Sequence, residues 1–139
     1  MIVIDMTNSL IGRVGTIAAK AVLQGEEVNL VNCEKAVISG AKSHVLAHFQ
    51  RKASMGTPRK GPFQPRMADR LVRKKIRGMI PYKTPRGRAA YARLMCYIGV
   101  PEQFNNQKMK IIEKASADKL PLPKRVTVGE ICRVLKHEE

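Results

Sequence analysis

The sequence has no tryptophan, only three tyrosines and three phenylalanines among 139 residues, and 11 acidic residues against 26 lysines and arginines. So few aromatics argue against a protein that reads single strands by stacking successive bases on rings. Carboxylates are also scarce where chemistry would need them, because acid–base catalysis requires grouped, tuned partners. Asp5 and Glu34 alone stand near the ends of expected strands. The three cysteines, Cys33, Cys96 and Cys132, lie 63 and 36 residues apart. An odd count at that spacing builds neither a disulfide framework nor a zinc site. They read as inert core thiols in a reducing cytoplasm. No apolar run approaches the roughly 18–20 residues of a membrane span, and Asp5 cuts short the apolar start Met1-Ile2-Val3-Ile4, so no secretory leader is expected.

What the chain has in excess is positive charge, and it is concentrated. Residues 51–93 carry fourteen Lys or Arg and a single acid, Asp69. Residues 1–50 hold four bases and four acids, and residues 94–139 hold eight bases and six acids, so the middle third supplies nearly all of the net +15. Ordinary surfaces intersperse the two signs, since like charges one helical turn apart repel. A block this one-sided is expected to meet a polyanion, and a sequence pI near 10.3 agrees. Nine of the fourteen bases are arginine, whose planar fork suits bidentate phosphate contact. With few rings and many glycines and prolines, recognition of an RNA backbone and its shape is favoured over base stacking.

Hydrophobic content of 44% is that of a globular chain, and the length suits one domain, residues 1–139, with a modest core. Residues 2–4 form a short β-branched run, after which Thr7, Asn8 or Ser9 could cap a helix. Leu10, Ile11, Val14, Ile17, Ala18, Ala21 and Val22 follow helical spacing, with Gly25 where a helix would end. Residues 27–32 read as a second strand and 36–39 as a further β-like piece, followed by a helix carrying Val45, Leu46 and Phe49. That order suits parallel βα crossovers. Residues 54–66 hold three prolines and two glycines, forbid regular structure, and form a basic insertion expected to be mobile in the free protein. In the basic helical segment 67–93, Met67, Leu71, Val72 and Ile76 form an apolar stripe, and Arg66, Arg70, Arg73, Lys74 and Arg77 form a cationic one. Gly78 and Pro81 end that helix, Lys83, Arg86 and Arg88 fall in the next turn, and a short helix is expected over 90–94. Residues 95–100 are apolar almost without break, as a strand buried on both faces would be. Residues 105–125 read as an extended arm with at most a short β piece at 109–112, and Thr127 with Glu130 spells a capping box for a last helix.

Three small motifs fall short of the sites they suggest. Gly40-Ala41-Lys42-Ser43 lacks the glycine spacing of a phosphate loop. Gly12-Arg13-Val14-Gly15 is half a dinucleotide fingerprint inside a helix, so its glycines more simply permit close approach to the sheet or to RNA. His44 and His48 are one helical turn apart, but the residues between them include no glutamate, and surface or RNA-facing histidines are the simpler account.

Several stretches resemble one family. They are V-I-D (3–5), L-I-G-R (10–13), A-A-K-A-V-L-Q-G (18–25), V-N-L-V-N-C-E-K-A-V-I-S-G (28–40), K-G-P-F (60–63), I-R-G-M-I-P-Y-K-T-P-R-G-R-A-A (76–90) and R-L-M-C-Y-I-G-V-P (93–101). Over about residues 2–104 they are similar to the universal large-subunit ribosomal protein L-thirteen family, most of all its archaeal and eukaryotic branch. Lys60 stands where that family has arginine. The resemblance implies a three-layer α/β/α fold around a small, mostly parallel sheet of about four strands. It also implies a structural, non-enzymatic role on large-subunit rRNA with neighbouring ribosomal proteins, no cofactor, no metal, no membrane and no small-molecule substrate, in the cytoplasm on the ribosome. It carries Arg77, Gly78, Pro81, Lys83, Gly87 and Arg88 to the rRNA, with Arg13 and Lys60. Charge adds Arg51, Lys52, Arg59, Arg66, Arg70, Arg73, Lys74 and Arg86 to that interface. The rival functions are a free-standing regulatory RNA binder and, less well supported, an enzyme acting on nucleic acid.

Overall fold

Strand β1 (Ile2–Asp5) runs into helix α1 (Ile11–Leu23), which returns the chain to β2 (Val28–Val31) alongside it. The computed structural model describes residues 1–137, with side chains to Lys136. Strand β4 (Leu94–Cys96) adds to the other edge of β2, making a three-stranded parallel sheet of order β1-β2-β4. Short β-branched strands need such a crossover to pair in parallel, and the amphipathic α1 provides it. The class is therefore α/β around a small parallel sheet. The β-like piece after β2 forms β3 (Val37–Ser39), which leaves that sheet and pairs antiparallel with β5 (Arg125–Thr127).

Register places Ile2, Val28 and Leu94 in one row and Ile4, Leu30 and Cys96 in the next, all on one face. That face joins the main apolar cluster with residues from α1, α2 (Lys42–Ser54), α3 (Ala68–Arg77), α4 (Pro85–Ala92) and α5 (Val128–His137). The opposite face presents Val3 and Val31, which pack with Phe104, Tyr97, Val100 and Met109. On that side the covering layer is thus the chain of residues 97–109 with a 3₁₀ turn at Glu102–Phe104, rather than a helix. Lys110 donates its N–H to the Val3 carbonyl (2.8 Å), so the β piece expected at 109–112 reduces to a single bridge with Ile4.

Several local expectations change for physical reasons. Thr7, Asn8 and Ser9 do not cap α1, because Thr7 is bound to Asp5 and the Ser9 hydroxyl donates to the Thr7 carbonyl. Gly25 closes α1 as expected: at φ +101° it donates to Val22 O while Glu26 donates to Ala21 O, the two bonds of a Schellman motif. Met67 precedes α3 and is exposed, so the buried stripe consists of Ala68, Leu71, Val72 and Ile76. Helix α4 starts five residues before the expected position, with Thr84 accepting the Gly87 N–H (3.1 Å) and Pro85 in the first turn. Arg86 and Arg88 are therefore on a helix, not in a turn. The apolar run 95–100 is not one strand buried on both faces: the strand is Leu94–Cys96, and Met95 within it and Ile98 beyond it are exposed. The capping box is present at α5: Thr127 N–H reaches the Glu130 carboxylate and Glu130 N–H reaches the Thr127 hydroxyl. Val128, Ile131, Cys132 and Leu135 are buried along that helix.

Of the two glycines in the α1 motif, only Gly15 serves close packing: a Cβ there would lie 2.9 Å from Met79 Sδ and 3.3 Å from Ile76 Cγ1. It brings α1 against the end of α3, not against the sheet. Gly12 faces open space. Gly87 is the tightest of these positions, with an added Cβ meeting the Pro81 carbonyl. Accordingly, Gly12→Ala, in the first turn of α1 where space is open, should stabilise the protein by at most about 0.5 kcal/mol. Gly87→Ala should destabilise it by about 1–3 kcal/mol through overpacking. Denaturant unfolding of the two variants checks this, and equal midpoints would contradict it.

Candidate nucleic-acid interface

Helix α3 is positioned from below. Its apolar side packs against α1, β4 and α5, which leaves Arg70, Lys74, Lys75 and Arg77 exposed on the other side. Three of these cations fall in the last turn and Asp69 in the first, so the helix dipole offsets part of their mutual repulsion. The chain then turns through Lys83 into α4, where Arg86 and Arg88 are exposed on a helix that also packs on α1. Arg51 and Lys52 end α2, and Arg59 and Lys60 project from the loop after it. The ion pairs Lys42–Glu130 (3.6 Å) and Arg125–Asp118 (3.0 Å) lie outside this segment. Among the described residues, Arg59, Lys60, Arg70, Lys83, Arg86 and Arg88 have no carboxylate partner. At the end of α2, His48 is held below its usual pKa by slight burial and then by Lys52, Lys75, His44 and Arg51.

Several cations of the segment also hold the structure together. Arg73 is half-buried: its guanidinium lies 4.4 Å from the Tyr91 ring centroid and donates to the Tyr91 carbonyl (3.4 Å). Tyr91 meets Tyr82 edge to face at 5.4 Å, and Arg77 lies 4.5 Å over Tyr82. The alternation Arg73–Tyr91–Tyr82–Arg77 ties α3 to α4 and consumes two of the three rings in the segment. Lys74 donates to the Phe63 carbonyl (3.0 Å) and to Gln64 Oε1 (3.2 Å), which pins the loop to α3. Arg66 is half-buried where the loop meets α3. Arg13 stands apart. It donates to the Lys114 carbonyl (3.1 Å), on a side of α1 roughly 200° around the axis from Gly15 and therefore away from α3. Lys75, outside the cationic stripe read from the sequence, is exposed beside Lys74 and lies 5.2 Å over Phe49. Its proximity to the end of α2 is what a one-dimensional stripe could not contain.

The carboxylates near the strand ends are occupied by backbone turns. Asp5 Oδ1 accepts from Thr7 N (3.0 Å), Thr7 Oγ1 (2.7 Å) and Asn32 Nδ2 (3.0 Å). Burial alone would raise the Asp5 carboxyl, but those hydrogen bonds and the Lys35 ammonium outweigh it and hold the group below its ordinary value. Glu34 Oε2 accepts the Gly99 N–H (3.0 Å), fixing the bend after β4. Cys33, Cys96 and Cys132 are buried. The Cys96 thiol is pushed up by its hydrogen bond with Cys33 and by burial, and Cys132 is pushed up by burial. Thiols held protonated are poor nucleophiles. His44 and His48 are both exposed on α2.

The chain is similar to known proteins over most of its length. A family model described as ribosomal protein L13 matches residues 1–103. A large ribosomal subunit protein uL13 from Methanococcoides burtonii is 40% identical over 135 residues, covering 97% of each chain. Proteins of the same name from Methanopyrus kandleri and Archaeoglobus fulgidus are each 40% identical, covering 98% and 96% of this chain and 87% and 86% of their own.

Two measurements test this geometry. Arg73→Gln should lower unfolding stability by about 1–2 kcal/mol, since it removes a stacked, hydrogen-bonded cation. Arg70→Gln should stay within about 0.5 kcal/mol. Urea titrations that find the two equal would refute the structural assignment of Arg73. Because the Asp5 carboxyl is lowered in the folded state, its stabilisation is present above the ordinary value near 3.9 and is lost as pH falls through the folded one. Asp5→Asn should therefore flatten the acid limb of the stability–pH curve relative to wild type, as followed by thermal melting.

Proposed function

The chain belongs to the ribosomal protein L13 family, and on that premise we propose that it is a structural, non-enzymatic component of the large ribosomal subunit that binds folded large-subunit rRNA through the exposed cations of α3, α4 and the 54–66 loop. The observation that carries this is that Arg59, Lys60, Arg70, Lys83, Arg86 and Arg88 are exposed and, among the described residues, lack carboxylate partners. Lys and Arg neutralise phosphates where RNA segments crowd together, and displaced counterions supply much of the binding free energy. The sheet and α1 hold those side chains in fixed geometry, so less ordering entropy is lost on binding. Arg51, Lys52, Arg59, Lys60, Lys74, Lys83, Arg86 and Arg88 complete the surface, and Arg13 forms a second, separate contact point. Neighbouring large-subunit proteins complete the surroundings, and the protein works in the cytoplasm on the ribosome.

An enzymatic role has little to draw on. Asp5 and Glu34 are both engaged in holding turns, and no group of three or more His, Cys, Asp or Glu residues able to hold a metal occurs among the described residues. A free-standing regulatory binder differs in assembly rather than in chemistry.

Sedimentation separates the two. The wild-type chain should travel with large subunits through a high-salt gradient, whereas a free regulator would remain at the top. On a duplex-like rRNA fragment, converting Arg70, Arg77, Lys83 and Arg88 together to Gln should flatten the log affinity against log salt plot by about three to four units. An unchanged slope would mean that this face does not meet phosphate.

A further inference from the structure

Phe63 is unlike the other five aromatic residues. Phe49, Tyr82, Tyr91, Tyr97 and Phe104 each have a ring or cation partner. Phe63 has none among the described residues and is 68% exposed. Its position is nonetheless built. Lys74 holds its carbonyl, and the Gly61 N–H closes the turn onto Thr57 O (2.9 Å). Gly61 itself stands at φ +77°, where an added Cβ would come within 3.0 Å of the Phe63 ring. The ring lines a cleft of about 410 Å³ with Met55, Pro62, Leu71 and the stems of Lys52, Lys74 and Lys75. That size falls within the range of small-ligand sites. None of the three lysines has a carboxylate partner among the described residues. Lys75 is held below its ordinary pKa by burial and then by Lys52 and Lys74, a sign of how closely these like charges crowd. An apolar floor with one free aromatic face and an unneutralised cationic rim matches a nucleotide: a flat base on the ring, phosphates among the ammonium groups.

We propose that this cleft, between the end of α2, the loop and α3, takes one unstacked nucleobase of the bound RNA, its face on Phe63 and its flanking phosphates at Lys52, Lys74 and Lys75. The inference rests on the RNA-binding function proposed above and adds a single base-stacking point to an otherwise backbone-reading surface. It also accounts for an exposed ring in a loop that the structure takes trouble to anchor.

The test compares a twelve-nucleotide oligoadenylate with a twelve-base-pair RNA duplex, each titrated with the full-length chain at several salt concentrations. Phe63→Ala should weaken oligoadenylate binding about tenfold, leave duplex binding within about twofold, and leave the salt slope unchanged, because no phosphate contact is lost. Phe63→Trp should restore the oligoadenylate affinity. The residue is exposed, so both variants should melt with wild type. Should Phe63→Ala bind oligoadenylate like wild type, or weaken both RNAs equally, the base assignment is overturned while the cationic interface stands. Salt-insensitive or absent binding of both RNAs by wild type would instead overturn the interface itself, and the cleft with it.

Discussion

The packing of Leu71, Val72 and Ile76 against α1 and β4 is the contact on which everything else in this molecule depends. These three side chains are fully or almost fully buried, and each is worth about 1.5–3 kcal/mol of transfer free energy. A ten-residue helix with five bases and one acid would not persist alone in water. Pinned by that stripe, it can present Arg70, Lys74, Lys75 and Arg77 in one fixed array despite their repulsion. The free energy that concentrates the charge therefore comes from the core, and in the proposed complex RNA relieves the repulsion.

Rings and cations in the same segment serve a second purpose. Arg73 and Arg77 are stacked on Tyr91 and Tyr82, which lock the turn between α3 and α4. Gly87 permits α4 to start against the Pro81 carbonyl, a distance no side chain would allow. The basic segment is thus divided in labour: Arg73 is spent on the platform, Arg77 braces it while staying exposed, and Arg70, Arg86 and Arg88 stand free above it. Charge counting alone treats all of them alike, which overstates the number available to phosphate.

Much of the architecture was legible because it rests on short-range rules. The spacing of Val14, Ala18 and Val22, the glycine at 25 and the Thr127–Glu130 box each act within a few residues, and α1 and α5 formed where those rules put them. Residues 95–100 misled because apolarity records burial only on average; the strand ended at Cys96, and how far the layer over that sheet face extends is set by residues 97–109 rather than by any local signal. Thr84-Pro85 did carry the start of α4, a cap followed by proline, but the charged surroundings looked like a turn. For the candidate site, the stripe of Arg70, Lys74 and Arg77 follows from helical geometry. Its separation from Arg13, the diversion of Arg73, and the recruitment of Lys75 and Phe63 all depend on residues far apart in the chain.

By itself, the order of residues determined that a cationic middle third would be carried on helices beside a small parallel sheet, because charge, periodicity and capping are properties of neighbours. Tertiary structure alone decided which cations remain free, which are tied to tyrosine, and where an unpaired phenylalanine opens onto a lysine-rimmed cleft. Those outcomes are set by contacts between α1, α3, α4 and the loop, whose distances no linear pattern encodes.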